Sequence, residues 1–134
     1  MEVRFEIPNS AIEYEPARDR LLELFQAAGL SEEAIGELEL ILEELLVNII
    51  SYAYDEPGTG KIQISAGVDG STVTLEFRDR GRKFNPLEKE TPDLDADIED
   101  RPIGGLGIFL VMELASSVTY ERVGDENVLR VAKG

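Results

Sequence analysis

The segment from Ser31 to about Tyr54 constrains the fold most. Leu38, Leu42, Leu45, Ile49 and Ala53 recur there at intervals of three and four residues. Residues in an α-helix turn by about 100° each, so this spacing makes one apolar stripe. Ser31 is a good N-cap, and Glu32 and Glu33 suit the positive end of the helix that follows. The run Asp55-Glu56-Pro57-Gly58-Thr59-Gly60 stops it. It is the most apolar part of the chain, and such a helix needs an apolar layer to lie on.

The flanking patterns supply that layer. Val3, Phe5 and Ile7 alternate with charged residues and predict a short strand stopped by Pro8. Residues 12–28 read as an amphipathic helix with Leu21, Leu22, Leu24, Phe25 and Ala28 on its apolar side, ended by Gly29. Ile62, Ile64, Ala66 and Val68 alternate with polar residues, as do Val73, Leu75 and Phe77, with Asp69-Gly70 as a tight hairpin between them. Residues 106–115 predict a third helix. A second hairpin, about 117–123 and 127–132 around Gly124-Asp125, closes the chain. Residues 80–103 hold three prolines, many acids and no period. A connection that long in a compact domain is usually functional or mobile, and it reads as a lid, at about 80–104, over a site. The order predicts one α+β domain over 1–134: a two-layer sandwich with helices on one face of a mixed, mostly antiparallel sheet.

Composition removes whole classes of chemistry. The 134 residues include no cysteine and no histidine. Disulfides, thiolate metal sites and every His-based nucleophilic or metal mechanism are therefore excluded. A net charge of −15 disfavours nucleic-acid phosphates and anionic membranes as direct partners. Nucleotide phosphates remain accessible, because backbone N–H groups and a divalent cation can hold them. No stretch approaches the roughly 20 apolar residues of a membrane span. Met1-Glu2-Val3-Arg4-Phe5 lacks the pattern of a secretory signal, so a cytoplasmic location is expected.

Three separated segments carry candidate chemistry. In the long helix Glu44 and Asn48 lie one turn apart on the flank of the apolar stripe, while Glu43 points away. Asparagine is a poor helix-interior residue. It either finishes the edge of the core or joins Glu44 in handling a metal-bound phosphate, with an amide oxygen suited to Mg²⁺. Asp79-Arg80-Gly81 ends a strand pattern. It is either a turn or a place where Asp79 accepts a hydrogen bond from a base amino group, with Gly81 admitting the ligand. Gly104-Gly105-Leu106-Gly107 opens the third helix. It is either a hinge or an anion site of backbone N–H groups at a helix N-terminus, and it matches neither common phosphate-loop pattern.

In this order and spacing the three segments resemble the Bergerat ATP-binding fold of gyrase, sensor histidine kinases and mismatch-repair ATPases. Within it, the chain is similar to the small anti-sigma-factor serine/threonine kinases of bacterial partner switching. The likeness runs from Val3 to the hairpin at Asn127. It rests on Glu44-x-x-x-Asn48 followed by Tyr52-Ala53-Tyr54, on Asp79-Arg80-Gly81-Arg82-Lys83-Phe84-Asn85-Pro86, and on Gly104-Gly105-Leu106-Gly107. The resemblance implies a Mg²⁺ ligand at Asn48, a general base or orienting carboxylate at Glu44, and adenine recognition by Asp79 above Gly81. It implies a phosphate cradle of Gly104, Gly105 and Gly107, with Arg101 reaching the γ-phosphate or the partner. It departs from the broad family at Lys83, where a second glycine is common. With no histidine, autophosphorylation of the sensor-kinase kind is excluded.

The implied function is an ATP- and Mg²⁺-dependent protein serine/threonine kinase acting on a STAS-type anti-anti-sigma partner. Sequestration of a sigma factor and a homodimer are further implications. The alternative is a nucleotide-dependent protein-binding module without phosphoryl transfer, and a third reading is an apolar-cored scaffold with no nucleotide.

Overall fold

The computed structural model describes residues 1–88 and 105–134. The order is β1 (Glu2–Pro8), a 3₁₀ turn (Ala11–Glu13), α1 (Tyr14–Ala27), α2 (Glu32–Tyr52), β2 (Lys61–Asp69), β3 (Thr72–Asp79), a second 3₁₀ turn (Pro86–Glu88), α3 (Gly105–Leu114), β4 (Ser117–Val123) and β5 (Glu126–Lys133). The five strands form one sheet in the order β1-β2-β3-β5-β4.

All four pairings are antiparallel, which corrects the expectation of a mixed sheet. β3 and β4 do run in the same direction, but β5 turns back through a hairpin and inserts between them. No parallel pair is left among the described residues. Both hairpins turn on two residues, Gly70-Ser71 and Gly124-Asp125, since Asp69 faces Thr72 and Val123 faces Glu126. The first turn thus sits one residue later than Asp69-Gly70. Only the glycine of each pair has positive φ, at 63° and 60°, the type II′ pattern that suits strand twist. Pro8 ends β1 from within, which an edge strand tolerates.

The register aligns three inward rows across the sheet. Val3, Ala66, Leu75, Val131 and Val118 make the first; Phe5, Ile64, Phe77, Leu129 and Tyr120 make the second. Both pack into a single core with Leu21 and Phe25 of α1 and Leu38, Leu42, Leu45 and Ile49 of α2. The third row changes character along its length: Ile7, Ile62, Asp79, Asn127 and Arg122. That polar end of an otherwise apolar face marks the site.

α2 is capped as expected, Ser31 Oγ accepting from Ala34 N at 3.1 Å. The whole predicted stripe, Leu38, Leu42, Leu45, Ile49 and Ala53, is buried. α2 ends at Tyr52, slightly short of Tyr54, because the Ala53 carbonyl accepts from Arg82 N at 2.9 Å rather than continuing the helix. The loop after α2 is held by buried Asn9, whose Nδ2 donates to Glu56 O (3.1 Å) and whose Oδ1 accepts from Gly60 N (2.8 Å). The charged lid residues Asp93, Asp95, Asp97, Glu99 and Asp100 lie outside the described residues, as does most of the predicted lid.

Leu45 is completely buried at the centre of this core. Leu45→Ala should cost about 2–5 kcal/mol, through lost transfer energy and the cavity left behind. Urea unfolding would show a lower midpoint with an unchanged slope. A loss under about 1 kcal/mol would mean that α2 is not the central packing element.

Candidate functional site

α2 is the element to which the described parts of all three segments attach. Glu44 and Asn48 project from its middle. The Asn48 amide donates through Nδ2 to the Glu44 backbone carbonyl and, at 3.0 Å, to Glu44 Oε1. Both partners are acceptors, so the amide orientation is set chemically, and the oxygen Oδ1 is its acceptor end. Asn48 is buried and Glu44 is partly exposed.

The third segment meets this pair directly. A Cβ at Gly107 would sit 2.0 Å from Glu44 Cδ and Oε2. The absence of a side chain at Gly107 is therefore what lets the Glu44 carboxylate rest on the first turn of α3. Gly105 opens that helix. Gly104 and Arg101 lie outside the described residues.

The second segment meets the C-terminal end of α2. A Cβ at Gly81 would fall 2.0 Å from the Ala53 carbonyl oxygen. Gly81 is thus required by contact with α2, whatever ligand approaches it. Arg82 strengthens the junction, its N–H donating to Ala53 O and its Nε to Tyr52 O at 2.7 Å. Tyr52 packs on Phe84 with ring centroids 5.7 Å apart. Tyr54 OH accepts from Arg80 N (2.9 Å) and donates to Lys61 O (2.7 Å).

Asp79 closes β3 in the inward row and is buried. Its Oδ1 accepts from Gly81 N and from Asn127 Nδ2, both at 2.9 Å. Oδ2 has no hydrogen-bond partner among the described residues. Burial pushes the Asp79 carboxyl above its ordinary value, with the Asn127 and Gly81 donors pulling the other way.

Asn127 was not singled out in the sequence. The signal was present: Asn127, Leu129 and Val131 occupy one phase of β5, so a polar residue stands in an apolar register. Nothing in its own segment said that Asp79 would face it.

Two features bear on whether a nucleotide and a divalent cation suit these residues. Asp79 Oδ2, an acceptor oxygen with no donor among the described residues, fits an exocyclic amino group. Asn48 turns its nitrogen to the Glu44 carboxylate, and its oxygen is the end of the amide chemically suited to a hard cation that takes few protein ligands. Among the described residues no group of three or more acidic residues gathers into a metal cage, so any Mg²⁺ would lean on phosphates as well.

The layout, with a helix-borne Asn and Glu, an Asp-x-Gly turn and a glycine-opened helix under one sheet, is that of an ATP-binding module. The family model of the histidine kinase-like ATPase domain matches residues 7–133. The chain belongs to that family. It is 30% identical over 95 residues to serine-protein kinase RsbW of Oceanobacillus iheyensis, covering 67% of this chain and 60% of that protein. It is 27% identical over 85 residues to serine/threonine-protein kinase BtrW of Bordetella bronchiseptica, covering 63% and 60%. To the anti-sigma F factor of Anoxybacillus flavithermus it is 22% identical over 102 residues, covering 75% and 70%. The chain thus spans about 60% of the length of the first curated relatives. The crystal structure of the RsbU and RsbW domains of Rv1364c from Mycobacterium tuberculosis superposes with a TM-score of 0.71 at 14% identity, covering 99% of this chain and 32% of that one. That likeness establishes the shared fold.

Two predictions come from this geometry. Gly81→Ala should destabilise the protein by about 1–3 kcal/mol, because its methyl group must displace the Ala53 carbonyl from Arg82. A thermal midpoint equal to wild type would show that the junction yields freely. The second concerns pH. A folded-state Asp79 value above the unfolded one favours the protonated form on folding. Its contribution is complete below the ordinary carboxylate value and is lost as pH rises through the raised value. Asp79→Asn should flatten the stability curve just above the ordinary carboxylate range. Melts from about pH 4 to about pH 7 test this, and an unchanged slope rejects it.

Proposed function

We propose that residues 1–134 form one ATP-binding kinase domain that transfers the γ-phosphoryl group to a serine or threonine of a regulatory protein partner. The observation that carries this reading is the placement of the Glu44 carboxylate. It sits one helical turn from Asn48, whose amide it meets, and directly on Gly107, so a carboxylate, a carboxamide and the N-terminal turn of α3 converge.

In this reading Asp79 Oδ2 accepts from the adenine amino group. The backbone N–H groups around Gly104, Gly105 and Gly107 hold the phosphates, with Arg101 reaching the γ-phosphate or the partner. Asn48 would hold Mg²⁺ through its oxygen, and the ion when bound would offset phosphate charge. Glu44 takes the proton of the partner hydroxyl as its oxygen bonds to the γ-phosphorus, and the bond to the β-phosphate oxygen breaks to release ADP. Little covalent work falls to the protein, which positions groups and balances charge. Glu44 Oε1 is engaged by Asn48 Nδ2, so Oε2 is the oxygen for the proton.

Relatives named serine-protein kinase and anti-sigma F factor support a STAS-type anti-anti-sigma protein as substrate and a sigma factor as a second, sequestered partner. A homodimer and a cytoplasmic setting accord with this role. Among the described residues no helix is long and apolar enough to cross a membrane. The second reading, a nucleotide-dependent binding module without transfer, is favoured by one observation only: Glu44 is partly occupied by its own neighbour.

One substitution tests the nucleotide site that both readings share, and a second tests transfer. Asn48→Ala should abolish Mg²⁺-dependent ATP binding in calorimetry while the far-UV circular dichroism stays unchanged; unchanged affinity would remove Asn48 from the metal site. Glu44→Gln should retain ATP but lose transfer by about 10²–10⁴-fold, measured as labelled phosphate moved to a purified STAS-domain protein. Wild-type-like turnover in that variant would rule out Glu44 as base. ATP binding by the wild type with no transfer would favour the binding module.

A further inference from the structure

The Asp79 carboxylate offers a ligand only one oxygen, and the cause lies on β5. We infer that Asn127 is a positioning residue that sets nucleobase specificity, by holding Asp79 Oδ1 and presenting Oδ2 alone as the acceptor for an exocyclic amine. The inference rests on the nucleotide reading above and deepens it.

Asn127 is buried, and every polar atom of its side chain is engaged. Oδ1 accepts from Tyr120 OH at 2.5 Å, Arg122 Nη1 at 3.2 Å and Phe84 N at 3.2 Å. Nδ2 donates to Asp79 Oδ1 at 2.9 Å and to the Arg82 carbonyl at 2.8 Å. On one side Phe84 N–H and the Arg122 guanidinium can only donate and the Tyr120 hydroxyl can turn to donate; the two groups on the other side are acceptors. The carboxamide therefore has a single workable orientation. Flipping it would set its NH₂ against the Phe84 and Arg122 donors and its oxygen against a carboxylate and a carbonyl.

The consequence for Asp79 is directional. Gly81 N and Asn127 Nδ2 both reach the same oxygen, which pins the carboxylate plane. Oδ2 is left accepting nothing from the described protein. A purine with a 6-amino group donates to it, and one with a 6-oxo group presents an acceptor to an acceptor. Discrimination comes mainly from the desolvated carboxylate that the wrong base leaves unpaired. Arg122 also donates to Gly81 O at 2.9 Å, so the β4–β5 hairpin fixes the turn and the carboxylate together.

Among the described residues, the charged and titratable groups around Asp79 are Arg122 from β4, Glu126 from β5, and Tyr54 beyond α2. Asn127→Asp keeps the shape and the three-donor side, but turns the donor facing Asp79 into a second carboxylate. When both are ionised they repel, and Asp79 leaves its position. When the pair holds one proton, the carboxyl O–H introduced by the substitution can replace the lost N–H.

The test uses the full chain with ADP and with IDP, which differ at position 6 of the purine, titrated calorimetrically from about pH 6 to about pH 8. Wild type should prefer ADP by at least about tenfold, with affinity that is flat or weakens towards acid. Asn127→Asp should bind ADP at least about tenfold more weakly at the alkaline end and recover on acidification, the opposite sign to wild type. A merely structural role would lower affinity at all pH values alike. A folded Asn127→Asp protein with wild-type ADP affinity and the wild-type pH trend would overturn the inference. If Asn127→Asp does not fold, the double variant Tyr120→Phe/Arg122→Met decides. It strips two of the three donors that lock the amide, so the ADP-to-IDP preference should fall several-fold, and an unchanged preference overturns the inference. If wild type binds neither nucleotide, the nucleotide reading itself fails and this inference goes with it. If wild type prefers ADP and the variants keep that preference, only the inference fails.

Discussion

The contact between the end of α2 and the turn after β3 underlies the rest of the site. The Ala53 carbonyl lies where a Gly81 side chain would be and accepts from Arg82 N. This fixes the height of the Asp79 turn against the helix that carries Glu44 and Asn48. Farther up the same helix, the Glu44 carboxylate occupies the space left by Gly107. α2 therefore acts as a ruler. Its two glycine contacts set the distance between the end of the site that meets a base and the end that meets phosphates. Its own position is set by apolar burial, about 1.5–3 kcal/mol for each buried Leu or Ile, which outweighs any single polar contact here.

The sheet contributes in a different way. Its inward face is apolar for two rows and polar in the third, where Asp79, Asn127 and Arg122 stand side by side. An unpaired carboxylate in such a place is costly, and the neighbouring strand meets that cost with a neutral amide rather than a cation. A direct Arg–Asp ion pair would have satisfied both oxygens. An amide satisfies one, and the arginine is held one strand away on the Asn127 and Gly81 oxygens. The same arrangement that makes Asp79 tolerable in the core leaves it receptive to a ligand.

Much of this was legible in the chain. The α2 stripe, its Ser31 cap, the alternation of β2 and β3 and the glycine-opened α3 all came from patterns a few residues long, and the structure has each of them. The Glu44–Asn48 pairing followed from helical spacing alone. The packing at Gly81 and Gly107 was less accessible. The sequence suggested ligand access at Gly81 and a backbone N–H cradle at Gly107, and the structure adds a contact within the protein at each, with a carbonyl in one case and a carboxylate in the other. The sheet is wholly antiparallel rather than mixed, since strand direction follows from which strand inserts between which.

The amino-acid sequence by itself determined the kinds of element, their apolar faces, the exclusion of histidine and thiol chemistry, and the three segments that carry the family likeness. Each depends on covalent neighbours or on composition. The tertiary structure alone decided that β5 lies between β3 and β4, that Asn127 is the partner of Asp79, and that α2 is the surface on which Gly81 and Gly107 close. Asp79 and Asn127 are 48 residues apart. Their meeting is a matter of strand register, which is set by the packing of the whole sheet against α1 and α2 and is not written in either segment.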